Sequence, residues 1–178
     1  MLATLMSTLL ALSPQDVPKE DAARLRAGFE QAQICAKATI DGDFAKVIDM
    51  TNPAAVKAGG GKKKMLKLVN EAMAEMKKEG FSFKEGKVEA SKSLSRSGRT
   101  LYAVYPMKIV IEAKGSTYTG TGFLLGASDD DGKTWTYADS AMGEAAMRKY
   151  LPDIPENLKF PAKEAPVVQK TSTEKTKE

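Results

Sequence analysis

Apolar positions recur at three- and four-residue spacing from Lys19 to Ile40, through Leu25, Phe29, Ala32, Ala36 and Ile40, and this spacing predicts a long amphipathic helix. Asp41-Gly42-Asp43 ends it, with Gly42 suited to a left-handed cap. A short helix follows over Asp43–Met50, burying Phe44, Val47 and Ile48, and Thr51-Asn52-Pro53 restarts the chain with Pro53 at a first helical position. The next turn is helical and ends in Gly59-Gly60-Gly61. A further helix over about Lys62–Glu79 carries a stripe of Met65, Leu68, Val69, Ala72, Met73 and Met76, and Gly80 stops it. The period then changes from 3.6 to 2. Strands are expected from Phe81 to Val88, Thr100 to Ala113, Thr117 to Ala127 and Thr134 to Asp139. Ser140 is expected to cap a last short helix carrying Met142, Ala145, Met147 and Tyr150.

Helices first and strands second, with connections too short for crossovers, imply an α+β domain. The expected fold is N-terminal helices packed on a curved four-stranded antiparallel sheet, with a short C-terminal helix. It occupies residues 16–151, between a leader (1–15) and a Pro-rich strap and tail (152–178). The leader, MLATLMSTLLAL followed by Ser13-Pro14, is too short to span a bilayer as a helix and reads as a secretory h-region. The protein is therefore expected to be exported, to the periplasm or outside the cell, with no integral membrane segment. In the strap, Pro152, Pro155, Pro161 and Pro166 favour extended backbone, while Leu158, Phe160 and Val167 can lie along the domain. Beyond about Gln169 the chain is Lys, Thr, Ser and Glu, a composition that buries nothing.

Composition excludes more than it assigns. The chain contains no histidine, which removes the commonest general base, zinc ligand and partner of a nucleophilic Ser or Cys. No cofactor or metal is expected. The single cysteine, Cys35, forms no internal disulfide and reads as a small buried apolar residue. The net charge of +4 comes from scattered residues, and the Lys62-Lys63-Lys64 cluster reads as a solvated helix start, so no nucleic-acid partner is expected. The GGGKKK run is not a phosphate loop: position 56 is Val56 and Lys62 is followed by Lys63.

Three local patterns carry candidate chemistry. Ser128, Asp130, Gly132, Thr134 and Trp135 fit the S-x-D-x-G-x-T-W pattern of the Asp box. Its physics is a hairpin lock: the carboxylate takes backbone N–H groups, Gly allows positive φ, and Trp packs beneath. Sialidase-like propellers repeat the box once per blade. It occurs once here, so it is a structural turn and not evidence of glycosidase chemistry. Second, Gly120, Gly122 and Gly126 share a face of the third strand and leave a shallow trough that a helix backbone or a flat ligand could occupy, close helix packing being the favoured reading. The opposite face changes from Thr117, Thr119 and Thr121 to Phe123 and Leu125, which suggests a bulge near Gly122. Third, Tyr137 and Asp139 share a face of the last strand, and Tyr105 lies on the apolar face of the second. If those faces coincide, Tyr105, Tyr137 and Asp139 line one pocket, with Asp139 its only acid.

The long first helix, the DFAKVIDMTNP segment, the GGGKKKMLKLVNEAMAEM helix and the strands ending in DDDGKTWTYADS together resemble the nuclear transport factor 2-like, or cystatin-like, α+β roll. The resemblance covers about Lys19 to Leu151 and points to the exported branch of that superfamily. The roll usually has a hairpin between its second and third helices, where Ala54–Gly61 here is helical and Gly-rich. The resemblance implies a cone-shaped pocket between helix and sheet. The leading expectation is a non-catalytic domain that binds a small apolar ligand or a protein partner. An isomerase- or dehydratase-like enzyme using an Asp–Tyr pair, and a structural module forming homodimers, are the alternatives.

Overall fold

The computed structural model describes residues 18–151, 153–162 and 164–170, so the proposed leader lies outside the described residues. Helix α1 spans Lys19–Asp41, with acidic Glu20 and Asp21 in its first turn. Gly42 (φ 76°) closes it by donating its N–H toward Ala38 and Thr39 carbonyls. Helix α2 (Phe44–Asp49) starts at Asp43, whose side chain accepts from the Lys46 N–H. Helix α3 (Pro53–Ala58) starts at Asn52, whose side chain accepts from the Ala54 N–H. Helix α4 spans Lys62–Lys78. It ends in a Schellman turn, with Gly80 N–H donating to the Lys77 carbonyl and Phe81 N–H to Met76.

Among the described residues six strands follow, not the four expected: β1 (Ser82–Val88), β2 (Ser95–Ser97), β3 (Thr100–Ala113), β4 (Ser116–Ser128), β5 (Thr136–Asp139) and β6 (Val167–Lys170). A 3₁₀ turn (Ser140–Met142) and helix α5 (Glu144–Tyr150) separate the last two. All strand pairs are antiparallel in one open sheet, ordered β1-β3-β4-β5, with β2 also on β3 and β6 also on β4. The two extra strands exist because β3 and β4 are long. Each edge of this central hairpin needs two short strands, placed end to end, to pair most of its backbone groups. Lys114 and Gly115, both at positive φ, form the two-residue turn of the hairpin.

The β3–β4 register runs unbroken from Leu101↔Ser128 to Ala113↔Ser116, so the bulge expected near Gly122 is absent; the sheet's register shift lies in β1, between Phe83 and Glu85. The Thr-to-Phe change along β4 has another cause. Phe123, Leu125 and Ala127 face Met147 of α5, Leu151 at its end, and Ile154 and Leu158 of the strap, and the cover stops there. The strap is pinned by Phe160, stacked on Phe123 with ring centroids 5.1 Å apart, and by Arg148, whose Nη2 donates to the Leu158 carbonyl at 2.9 Å. Its end is β6, so Lys170, expected in the solvated tail, instead pairs with Ser116.

The other face of the sheet carries α1. Leu25, Ala32, Cys35 and Ala36 pack there against Leu101, Ala103, Tyr105, Met107, Leu124, Trp135 and Tyr137. Helix α4 stands apart: none of its residues is fully buried, and Leu68 and Ala72, expected in its apolar stripe, are exposed. No described helix is long and apolar enough to cross a membrane.

Candidate functional site

The SDDDGKTW segment folds into one hydrogen-bonded turn. Asp130 Oδ1 accepts from the Ser128 hydroxyl at 2.9 Å, the Lys133 N–H at 3.1 Å and the Thr134 N–H at 2.8 Å. Gly132 N–H donates to Ser128 Oγ at 3.0 Å, and Trp135 Nε1 donates back to the Gly132 carbonyl at 2.9 Å. The Thr134 N–H foremost, then its hydroxyl, holds the Asp130 carboxyl down to about 2. Asp131 and Gly132 sit at φ 63° and 84°, where the tight turn requires left-handed backbone. Two α1 side chains clamp the turn. Arg24 makes a two-pronged pair with Asp131, both contacts at 2.9 Å, and Gln31 bridges Trp135 N–H and the Lys133 carbonyl. Sequence reasoning missed both, because ordinary exposed-face residues on a helix give no sign of what they will meet.

Tyr105, Tyr137 and Asp139 share a face of the sheet; Tyr137 and Asp139 line one small chamber, and Tyr105 is not among its lining residues. Tyr105 is fully buried in the core, edge-on to Trp135 at 6.0 Å and to Tyr137 at 6.2 Å. Its hydroxyl donates to the Leu25 carbonyl at 3.3 Å, and that of Tyr137 donates to the Gly28 carbonyl at 2.6 Å. Burial raises the pKa of both phenols. Although Tyr137 and Asp139 line one small chamber, both hydroxyls are thus committed to α1 backbone. Gly28 makes this possible. A Cβ there would run into the Tyr105 hydroxyl and the Trp135 ring. A glycine inside a helical pattern, unfavourable by propensity, was the available signal for this close approach.

The glycine trough on β4 divides likewise. A Cβ at Gly126 would meet the Trp135 and Tyr105 rings at 2.9 Å, so aromatic rings fill that end rather than the expected helix. A Cβ at Gly122 would meet Ser140 Oγ at 2.6 Å, and one at Gly120 would meet nothing within 4 Å. The open end is the floor of a cleft of about 700 Å³. Its apolar walls include Ile109 and Ile111 of β3, Tyr118 of β4, Met76 and Phe81 at the end of α4, and Phe160 of the strap. The hollow exists because Gly120 and Gly122 lie opposite Ile109 and Met107 and α4 does not close over them.

The cleft also wraps the edge of β4. β5 pairs with residues 124–127 of β4 and β6 with 116–119, so among the described residues no strand pairs with Gly120–Phe123 on that edge. Ser140 fills part of the notch. It does not cap a helix as expected; its Oγ accepts the Phe123 N–H at 3.1 Å. The side-chain cap is Asp139, whose Oδ1 accepts the Ala141 N–H at 2.7 Å at the start of the 3₁₀ turn, while α5 itself starts at Gly143, which has no side chain to cap it.

Asp139 lines this cleft and also a chamber of about 60 Å³ behind it, formed with Cys35, Thr39, Val47, Thr51 and Tyr137. By surface area Asp139 is exposed, yet its carboxyl is crowded by protein atoms. That crowding raises its pKa, with the Ala141 hydrogen bond opposing. Cys35 is buried, and burial foremost, then the Asp139 charge, pushes its thiol up to about 11. Among the described residues no His, Cys, Asp and Glu cluster suits a metal ion. No family model, no curated protein and no solved structure matches this chain.

Proposed function

We propose that this protein is a non-catalytic, exported domain of the nuclear transport factor 2-like kind that binds a small, mostly apolar molecule. The site is the cleft between the α1 face of the sheet, α4 and the strap. The observation that carries the reading is the cleft itself. Its volume of about 700 Å³ falls within the range of ~300–1,000 Å³ typical of small-molecule sites. Its walls are aliphatic and aromatic, with few polar groups, the composition that binds by desolvation and orients by one or two polar contacts. The commitment of both tyrosine hydroxyls to α1 weighs against the enzyme reading.

Gly120→Trp tests it. Gly120 has open space beyond its Cα and ordinary backbone, so the indole enters the cleft without displacing the core. The uncharged fluorophore N-phenyl-1-naphthylamine should brighten on adding the wild-type protein and not on adding Gly120→Trp, with equal melting temperatures. Equal brightening by both, or by neither, would refute the site. Export is tested separately: protein recovered from its native host should lack residues 1–15 by intact mass, and full-length chain alone would refute it.

A further inference from the structure

We infer that the ligand of this cleft is a hydrophobic amine, an apolar body whose ammonium group meets the Asp139 carboxylate. This rests on the cleft reading and adds the ligand's charge to it. Among the described residues two that line the cleft are charged, Asp139 and Glu144, and both are acidic, in a chain with 27 basic and 23 acidic residues. Neither Lys nor Arg is among the described residues lining the cleft.

The two acids are not equivalent. Glu144 already has a cation, Arg148, at 2.8 Å, and that guanidinium is further held by the Leu158 carbonyl. Asp139 has no basic partner among the described residues. Its one hydrogen bond, from Ala141, fixes the carboxylate by Oδ1. The groups facing it from α1 and β5, Cys35 and Tyr137, both have raised pKa values and are neutral at pH 7. A carboxylate set among apolar walls without a counter-ion carries a desolvation cost that an incoming cation offsets. An anion would instead meet both acids.

The test uses the full chain and three probes of one length, decylammonium, decanol and decanoate, each displacing N-phenyl-1-naphthylamine at pH 7.4. Decylammonium should compete about tenfold better than decanol, the size of one charge-assisted contact, with decanoate weakest. Asp139→Asn keeps an oxygen for the Ala141 cap and should bring amine and alcohol within about twofold. The amine preference should also fade as pH falls and Asp139 is protonated. Decanol or decanoate equalling the amine, or a preference that survives Asp139→Asn, overturns the inference and leaves the cleft standing. No binding of the neutral fluorophore overturns both.

Discussion

Replacing Gly28 with Ala separates helix propensity from packing by the sign of the result. Gly28 lies inside α1, where Ala is better than Gly by about 1 kcal/mol on propensity alone. In the fold, the added methyl would enter the space of the Tyr105 hydroxyl and the Trp135 ring. Neither can swing away, since Tyr105 is 0% and Trp135 1% exposed. Overpacking a filled core costs about 1–3 kcal/mol. Moving the Tyr105 hydroxyl off the Leu25 carbonyl forfeits roughly another 1 kcal/mol. Setting the propensity gain against these leaves about 2 kcal/mol of net destabilisation, or ~4–8 °C in melting temperature for a chain of this size. Urea unfolding followed by the fluorescence of Trp135, the chain's single tryptophan, measures it directly. Adding Tyr105→Phe removes the clashing atom, so the double variant should recover part of the loss, a coupling a double-mutant cycle isolates. A Gly28→Ala variant more stable than the parent would refute the close approach of α1 to the aromatic core.

Trp135→Ala should lose about 3–5 kcal/mol by circular dichroism, the range for a large aromatic removed from a core, and an unchanged denaturant midpoint would show the Asp-box turn does not depend on its ring. Because burial raises the Asp139 pKa, its neutral form favours folding, and that stability is lost as pH rises through the folded value. Asp139→Asn should therefore raise the urea midpoint at neutral pH and leave it unchanged well below pH 3.8; a lower midpoint at neutral pH would contradict the sign. The buried Cys35 thiol, at about 11, should react with a disulfide reagent only when urea unfolds the chain, and rapid labelling of the folded protein would refute its burial.

The helices, the β3–β4 hairpin and the Asp-box turn were legible in the chain because each is set by short-range physics. Capping residues, periodicity and positive-φ glycines act within a few positions of one another. Gly42, Gly80 and the Ser128–Trp135 segment show this, since every group they need lies within about eight residues. The facing of β3 was equally readable, since alternation fixes which side chains share a side. What the tertiary structure decided was distance between elements. Periodicity placed Tyr105, Tyr137 and Asp139 on one face but could not say that α1, notched at Gly28, would descend far enough to take both hydroxyls and fill that end. Nor could it say that α4 would stand off and leave Gly120 as an open floor. The short edge strands β2 and β6 have too few residues to declare a period. They form because β3 and β4 present backbone groups to be paired, a demand that arises only once the long hairpin exists.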